Sequence, residues 1–163
     1  MTEIDELSAR LGEACGRAGL MVATAESCTG GGVAEAITRT AGSSAWFDRG
    51  FVAYADAAKV DLLGVRQETL GSHGAVSEAV AREMALGALH QSDADLAVAV
   101  TGVAGPGGGT ATKPVGLVWF AWASLGGTVE SRFEIFGGDR AAVRGQAVRE
   151  ALKGLLDLAS REG

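Results

Sequence analysis

Residues 20–32 read LMVATAESCTGGG, and how this stretch is read decides the fold. Leu20–Ala25 is a short uncharged run. It is followed at once by Glu26, two hydroxyl or thiol nucleophile candidates, Ser27 and Cys28, and three glycines, Gly30–Gly32. A strand that feeds a glycine-rich turn and then a helix presents a reactive side chain together with bare backbone amides. Upstream, Leu7, Leu11, Ala14 and Ala18 recur at helical spacing, and Gly19 is placed to end that helix. Downstream, Val33 and Ile37 continue a helix to about Arg39 before AGSS (41–44) breaks it. The start of the chain therefore predicts helix, strand, glycine turn, helix.

The rest of the chain extends this alternation and then changes it. RGFVAYA (49–55) reads as a strand, and Asp56 as the cap of a helix through AAKVDLLG (57–64). Ser77 is placed to cap a further helix carrying Val80, Met84 and Ala88. ADLAVAVTG (94–102) is apolar on both faces, the signature of a buried central strand, and it opens into the loop VAGPGGGTATKP (103–114). VGLVWFAWAS (115–124) and TVESRFEIFG (128–137) predict a hairpin turning at Gly126 and Gly127. Val148, Leu152, Leu155 and Ala159 mark a long amphipathic final helix. Helices alternating with strands, followed by paired strands, predict an α/β fold whose sheet is partly parallel and partly antiparallel, covered by helices on both faces.

Composition narrows the function classes. At 163 residues, 47% hydrophobic and 21% charged, the chain has the size and balance of one globular domain, and no linker divides it. No apolar run approaches a membrane span, and the acidic, amphipathic first segment is unlike a secretory signal, so a cytoplasmic protein is expected. Two cysteines, Cys15 and Cys28, are too few for a disulfide framework and lack metal-ligand spacing; free thiols and no metal site are expected. Fourteen basic against twenty acidic residues give a net charge of −6, which disfavours a broad grip on nucleic acid. An anionic ligand needs a local site.

Two glycine-rich loops, Thr29–Gly32 and Gly102–Gly109, follow apolar strands, where ligands gather in open α/β sheets. Bare backbone at Gly30, Gly31, Gly102, Gly105 and Gly108, with Thr29 and Thr101 beside it, suits close approach to a phosphate or oxyanion. Neither loop matches a P-loop or the G-x-S-x-G elbow. For a base, Lys59 in the first turn of its helix lies where the macrodipole disfavours a cation and lowers the ammonium pKa. Taken alone it also reads as a lysine snorkelling along a helix surface. His73, in SHGAVS (72–77), is an alternative base or a turn residue; His90 reads as a helix end. Tyr54 is placed to donate a hydrogen bond or to pack. Arg140 and Arg144, one turn apart where the last helix begins, oppose its dipole, which an anion between them would explain; pairing with Asp139 is the competing reading. Lys113 is a further cation in the glycine loop.

TAESCTGG (24–31), YADAAKVDLLGV (54–65), GAVSEAVA (74–81), AVTGVAGPGGGTATKPVG (99–116) and FGGDRAAVR (136–144) resemble, in order, the motifs of the CinA C-terminal domain, the nicotinamide-nucleotide amidase family. The resemblance spans almost the whole chain. It implies a three-layer α/β/α sandwich with a mixed sheet, a single catalytic domain over residues 1–163, and hydrolysis of nicotinamide mononucleotide to nicotinate mononucleotide and ammonia without metal or other cofactor. It places the nucleophile on Ser27 and the base on Lys59, with Tyr54 beside them. Its partner is a small nucleotide, not nucleic acid or membrane; homo-oligomerisation stays open. Many members carry an additional N-terminal domain, which is expected to be absent here. Glu26 is read either as orienting Lys59 or as anchoring the turn. A non-catalytic nucleotide-binding module and an amidase using Cys28 are the competing functions.

Overall fold

The computed structural model describes residues 1–162. The opening helix, α1 (Glu3–Ala18), is set at one end by a Thr2/Asp5 capping box and at the other by Gly19 in the left-handed region. The chain then enters β1 (Val22–Glu26), every residue of which is buried. The glycine turn delivers α2 (Gly32–Thr38), a single 3-10 turn at Ser43–Ala45, and β2 (Phe47–Val52). Next come α3 (Asp56–Leu63), α4 (Gln67–His73) and α5 (Glu78–His90). The central strand β3 (Leu96–Gly102), the hairpin β4 (Leu117–Ser124) and β5 (Val129–Ile135), and α6 (Arg140–Glu162) complete the chain.

The five strands form one sheet in the order β2-β1-β3-β4-β5. β1 runs parallel to β2 and β3, whereas β4 lies antiparallel to both of its neighbours, so the expected mixed sheet is present. Alternation sorts its side chains into two cores. Val22, Leu96, Val98, Val100, Val118, Phe120 and Trp122 meet α1, α2 and α6. Ala23, Ala25, Ala97, Ala99, Ala121 and Ala123 face the other way, against α5 and the Leu63–Val65 end of α3. The alanine face lets α5 sit close; the larger face carries the long C-terminal helix. This is a three-layer α/β/α sandwich. No helix among the described residues is long and apolar enough to cross a membrane.

Three local details differ from the sequence reading. Ala55 occupies the N-cap of α3 and Asp56 is its first helical residue, making no capping hydrogen bond. His73 ends α4, a short helix the periodicity did not reveal, because seven residues holding Gly71 and one fully apolar side chain carry too little pattern. β2 starts at Phe47 and ends at Val52, so Tyr54 lies just past the strand. Ser77 does cap α5, accepting the Val80 amide at 3.3 Å.

Candidate active site

β1 and β3 end together at the carboxyl edge of the parallel part of the sheet. The amide of Ser27 still donates to Val100 O at 2.9 Å, which fixes the residue at the sheet's rim. Directly after it the chain folds back: Gly30 N donates to Ser27 O at 3.0 Å and Gly32 N to Thr29 O at 3.0 Å. Gly31 makes this possible with φ +99°, a conformation costly to any residue carrying a Cβ.

Lys59 reaches this rim from α3. Its side chain is 1% exposed, and Nζ donates to Ala53 O at 3.1 Å, to Tyr54 O at 3.0 Å and to Ser27 Oγ at 3.0 Å. Burial pushes the Lys59 ammonium below its ordinary value, with Asp56 and Cys28 opposing that shift. The nearest carboxylate oxygen, Asp56 Oδ1, stands 4.0 Å away on an exposed side chain and does not neutralise the cation in a close pair. The three acceptors match the two protonation states. An ammonium donates to all three, whereas a neutral amine keeps its two N–H bonds for the carbonyls and turns its lone pair to the hydroxyl of Ser27.

Ser27, Lys59 and Tyr54 open on a cavity of about 310 Å³. Its other walls come from the Ala75–Val76 segment, from Thr101 and Gly102 at the end of β3, and from the glycine loop at Gly105 and Gly108, closed by Arg140. Thr101 Oγ1 donates to Ala75 O at 2.9 Å and so joins the loop before α5 to the end of β3. Arg140 donates to Gly105 O at 2.7 Å and to the Tyr54 hydroxyl at 3.0 Å, bridging the cavity mouth. The cavity thus collects Ser27, Cys28, Tyr54, Asp56, Lys59, Thr101, Gly102, Gly105, Gly108 and Arg140 of the residues singled out in the sequence.

Gly30, Gly31 and Arg144 do not line the cavity, and Thr29, 1% exposed, sits inside the nucleophile turn next to Cys28, which is on the cavity wall. Arg144 donates from Nε to Cys28 O and from Nη2 to Thr29 O, each at 3.2 Å. The two arginines therefore engage different loops, and neither pairs with an acid among the described residues; Asp139 instead accepts the Ala142 amide at 2.9 Å. Glu26 is 1% exposed and turns away from Lys59. Its oxygens accept the Thr29 hydroxyl at 2.6 Å and the amides of Val33 and Ala34 at 2.8 and 3.0 Å, which anchors the turn to α2. Lys113 donates to His73 O and stays off the cavity wall, as does His73. Both cysteines are free and buried; burial pushes the Cys28 thiol up to about 11, so it holds its proton at neutral pH.

The carbonyls of Ala53 and Tyr54, which receive Lys59, had no signal in the sequence, because backbone direction is not encoded in residue type. The contacts of Glu26 had one. A glutamate ahead of a glycine turn and a helix start is well placed for amides.

A mixed-sheet α/β/α domain with a buried lysine on a serine at the sheet's carboxyl rim defines the class of protein. The chain belongs to the CinA C-terminal domain family, whose model matches residues 4–159. It is 56% identical over 154 residues to the nicotinamide-nucleotide amidohydrolase PncC of Escherichia coli K12, covering 94% of this chain and 93% of that one. It is 54% identical over 158 residues to the Pseudomonas putida protein of the same name, covering 97% and 98%. The crystal structure of the competence/damage inducible protein CihA from Agrobacterium tumefaciens superposes with a TM-score of 0.95 at 52% identity, over 97% of this chain and 96% of that one.

Proposed function

We propose that this protein is an amidohydrolase that converts nicotinamide mononucleotide to nicotinate mononucleotide and ammonia, with Ser27 as nucleophile and Lys59 as base. The observation that carries the reading is the 3.0 Å approach of a buried, pKa-lowered Lys59 to Ser27 Oγ. The relatives' names supply the substrate. Neutral Lys59 takes the hydroxyl proton as Oγ bonds to the carboxamide carbon. The same proton passes to the nitrogen, the C–N bond breaks and ammonia leaves. Water then attacks the Ser27 ester with Lys59 again as base, releasing the acid and restoring the hydroxyl.

The amides of Cys28 and Thr29, which donate to no backbone carbonyl among the described residues, suit the oxyanion of the tetrahedral intermediate. Arg140 with the Gly105–Gly108 backbone suits the phosphate. In this reading residues 1–163 act as one cytoplasmic catalytic domain on a small nucleotide, with no cofactor and no nucleic-acid or membrane partner.

Ammonia release from nicotinamide mononucleotide by the purified chain tests the proposal, with Ser27→Ala as control. Turnover that depends on Ser27 supports it. Nucleotide binding with no ammonia at any pH sinks it and leaves a binding module.

A further inference from the structure

The turn that carries Ser27 is gripped from two sides by charged groups that never reach the cavity. From the sheet side, Glu26 holds the Thr29 hydroxyl and the first free amides of α2, those of Val33 and Ala34. From the α6 side, the guanidinium of Arg144 holds the carbonyls of Cys28 and Thr29. The grip is close: a Cβ added at Gly30 would lie 3.3 Å from Arg144 Nη2.

Peptide geometry turns this grip into a consequence for chemistry. In a trans peptide the C=O and the following N–H point in opposite directions. With Cys28 O drawn to Arg144, the Thr29 N–H points away from α6. With Ser27 O accepting from Gly30 N, the Cys28 N–H is likewise set by the turn. We propose that Arg144 and Glu26 are positioning residues, which lock the peptide planes of the Ser27 turn so that the Cys28 and Thr29 amides face the carboxamide oxygen. Arg144 then acts through the turn and does not read the phosphate. The inference rests on the proposed amidase reaction with Ser27 as nucleophile.

The two roles separate in kinetics. A phosphate ligand binds ground state and transition state alike, so its loss raises KM; a group that orients oxyanion donors matters only in the transition state, so its loss lowers kcat. The experiment measures kcat and KM for nicotinamide mononucleotide, and Kd for nicotinate mononucleotide by calorimetry, in wild type, Arg144→Ala, Arg144→Lys and Glu26→Gln. Circular dichroism at the assay temperature gives the folded fraction. Misoriented oxyanion donors should lower kcat of Arg144→Ala by about tenfold or more, with KM and Kd within about twofold. Arg144→Lys, whose ammonium can serve one of the two carbonyls, should recover part of the loss. Glu26→Gln places an NH2 donor against groups that are themselves donors and should lower kcat in the same way. If Arg144→Ala does not fold, the Lys and Gln variants carry the test. Unchanged kcat in the folded variants, or a tenfold rise in KM and Kd with kcat retained, overturns the inference. A wild-type chain releasing no ammonia, or an active Ser27→Ala, instead sinks the reaction on which it rests.

Discussion

Lys59 and Ser27 are 32 residues apart in the chain and 3.0 Å apart in space, and the lysine reaches the serine through a wall of protein that leaves it 1% exposed. Cys28 follows Ser27 directly, yet the hydrogen bonds of Lys59 go to Ser27, Ala53 and Tyr54 and not to its thiol, which burial pushes up to about 11. Ser27→Ala is expected to abolish ammonia release, whereas Cys28→Ala, which trims one buried thiol, keeps most of it. The reverse result in the same assay moves the chemistry to the thiol.

The pH dependence follows from the direction of the lysine's shift. Burial lowers the Lys59 pKa, so kcat/KM should rise with pH through that lowered value as the amine loses its proton. Stability should follow the same sign. Between the lowered folded value and the unfolded value near ~10.4, the unfolded chain binds the extra proton, so the wild type gains stability with rising pH. Lys59→Met removes that slope, and urea titrations across the alkaline range compare the two. Lys59→Arg keeps a cation that cannot deprotonate at neutral pH and should lose nearly all turnover. Near-native turnover in Lys59→Arg excludes the lysine as base.

A third expectation concerns the core that supports the site. Trp122 donates from Nε1 to Ala151 O at 3.0 Å, and a Cβ added at Gly154 would lie 2.0 Å from its ring. In an exposed helix interior Gly→Ala gains about 1 kcal/mol. Here the overlap outweighs that gain, because the ring is held by its hydrogen bond and by Arg132 stacked 4.7 Å from its centroid. Gly154→Ala should destabilise by about 1 to 3 kcal/mol in chemical denaturation. A rise in stability would mean that α6 and β4 pack more loosely than described.

The elements legible in the sequence are those whose burial is periodic. β1 and β3 read as strands because both faces are buried, and α5 and α6 because their apolar stripes are long. α4 escaped because its seven residues bury only Thr69 fully. In the site, residue type pointed to Ser27 and Lys59 as separate candidates, and the family motifs paired them. The roles of Glu26 and Arg144 depend on which way peptide planes face, which no side-chain pattern reports. Arg140 and Arg144 look equivalent as two cations one turn apart, but a helical turn of offset sends one to Gly105 and Tyr54 and the other behind the Ser27 turn.

That divergence yields the last prediction. Arg140 lines the cavity beside the glycine loop, and in the proposed reaction of this chain of net charge −6 it is the cation assigned to the substrate phosphate. Losing a charge-assisted contact costs about 1.5 to 3 kcal/mol, roughly ten- to hundredfold in affinity. Arg140→Ala should therefore raise KM by that factor while Ser27 chemistry persists on the bound fraction. Arg140 also ties Gly105 O to the Tyr54 hydroxyl, so part of the loss would come from a freed loop. Tyr54→Phe isolates that part. It removes the hydroxyl partner of Arg140 but keeps the Tyr54 carbonyl that receives Lys59. If phosphate recognition dominates, Tyr54→Phe raises KM far less than Arg140→Ala does. Equal increases in the two variants would assign the effect to loop anchoring and leave the phosphate to the backbone amides of the Gly105–Gly108 loop.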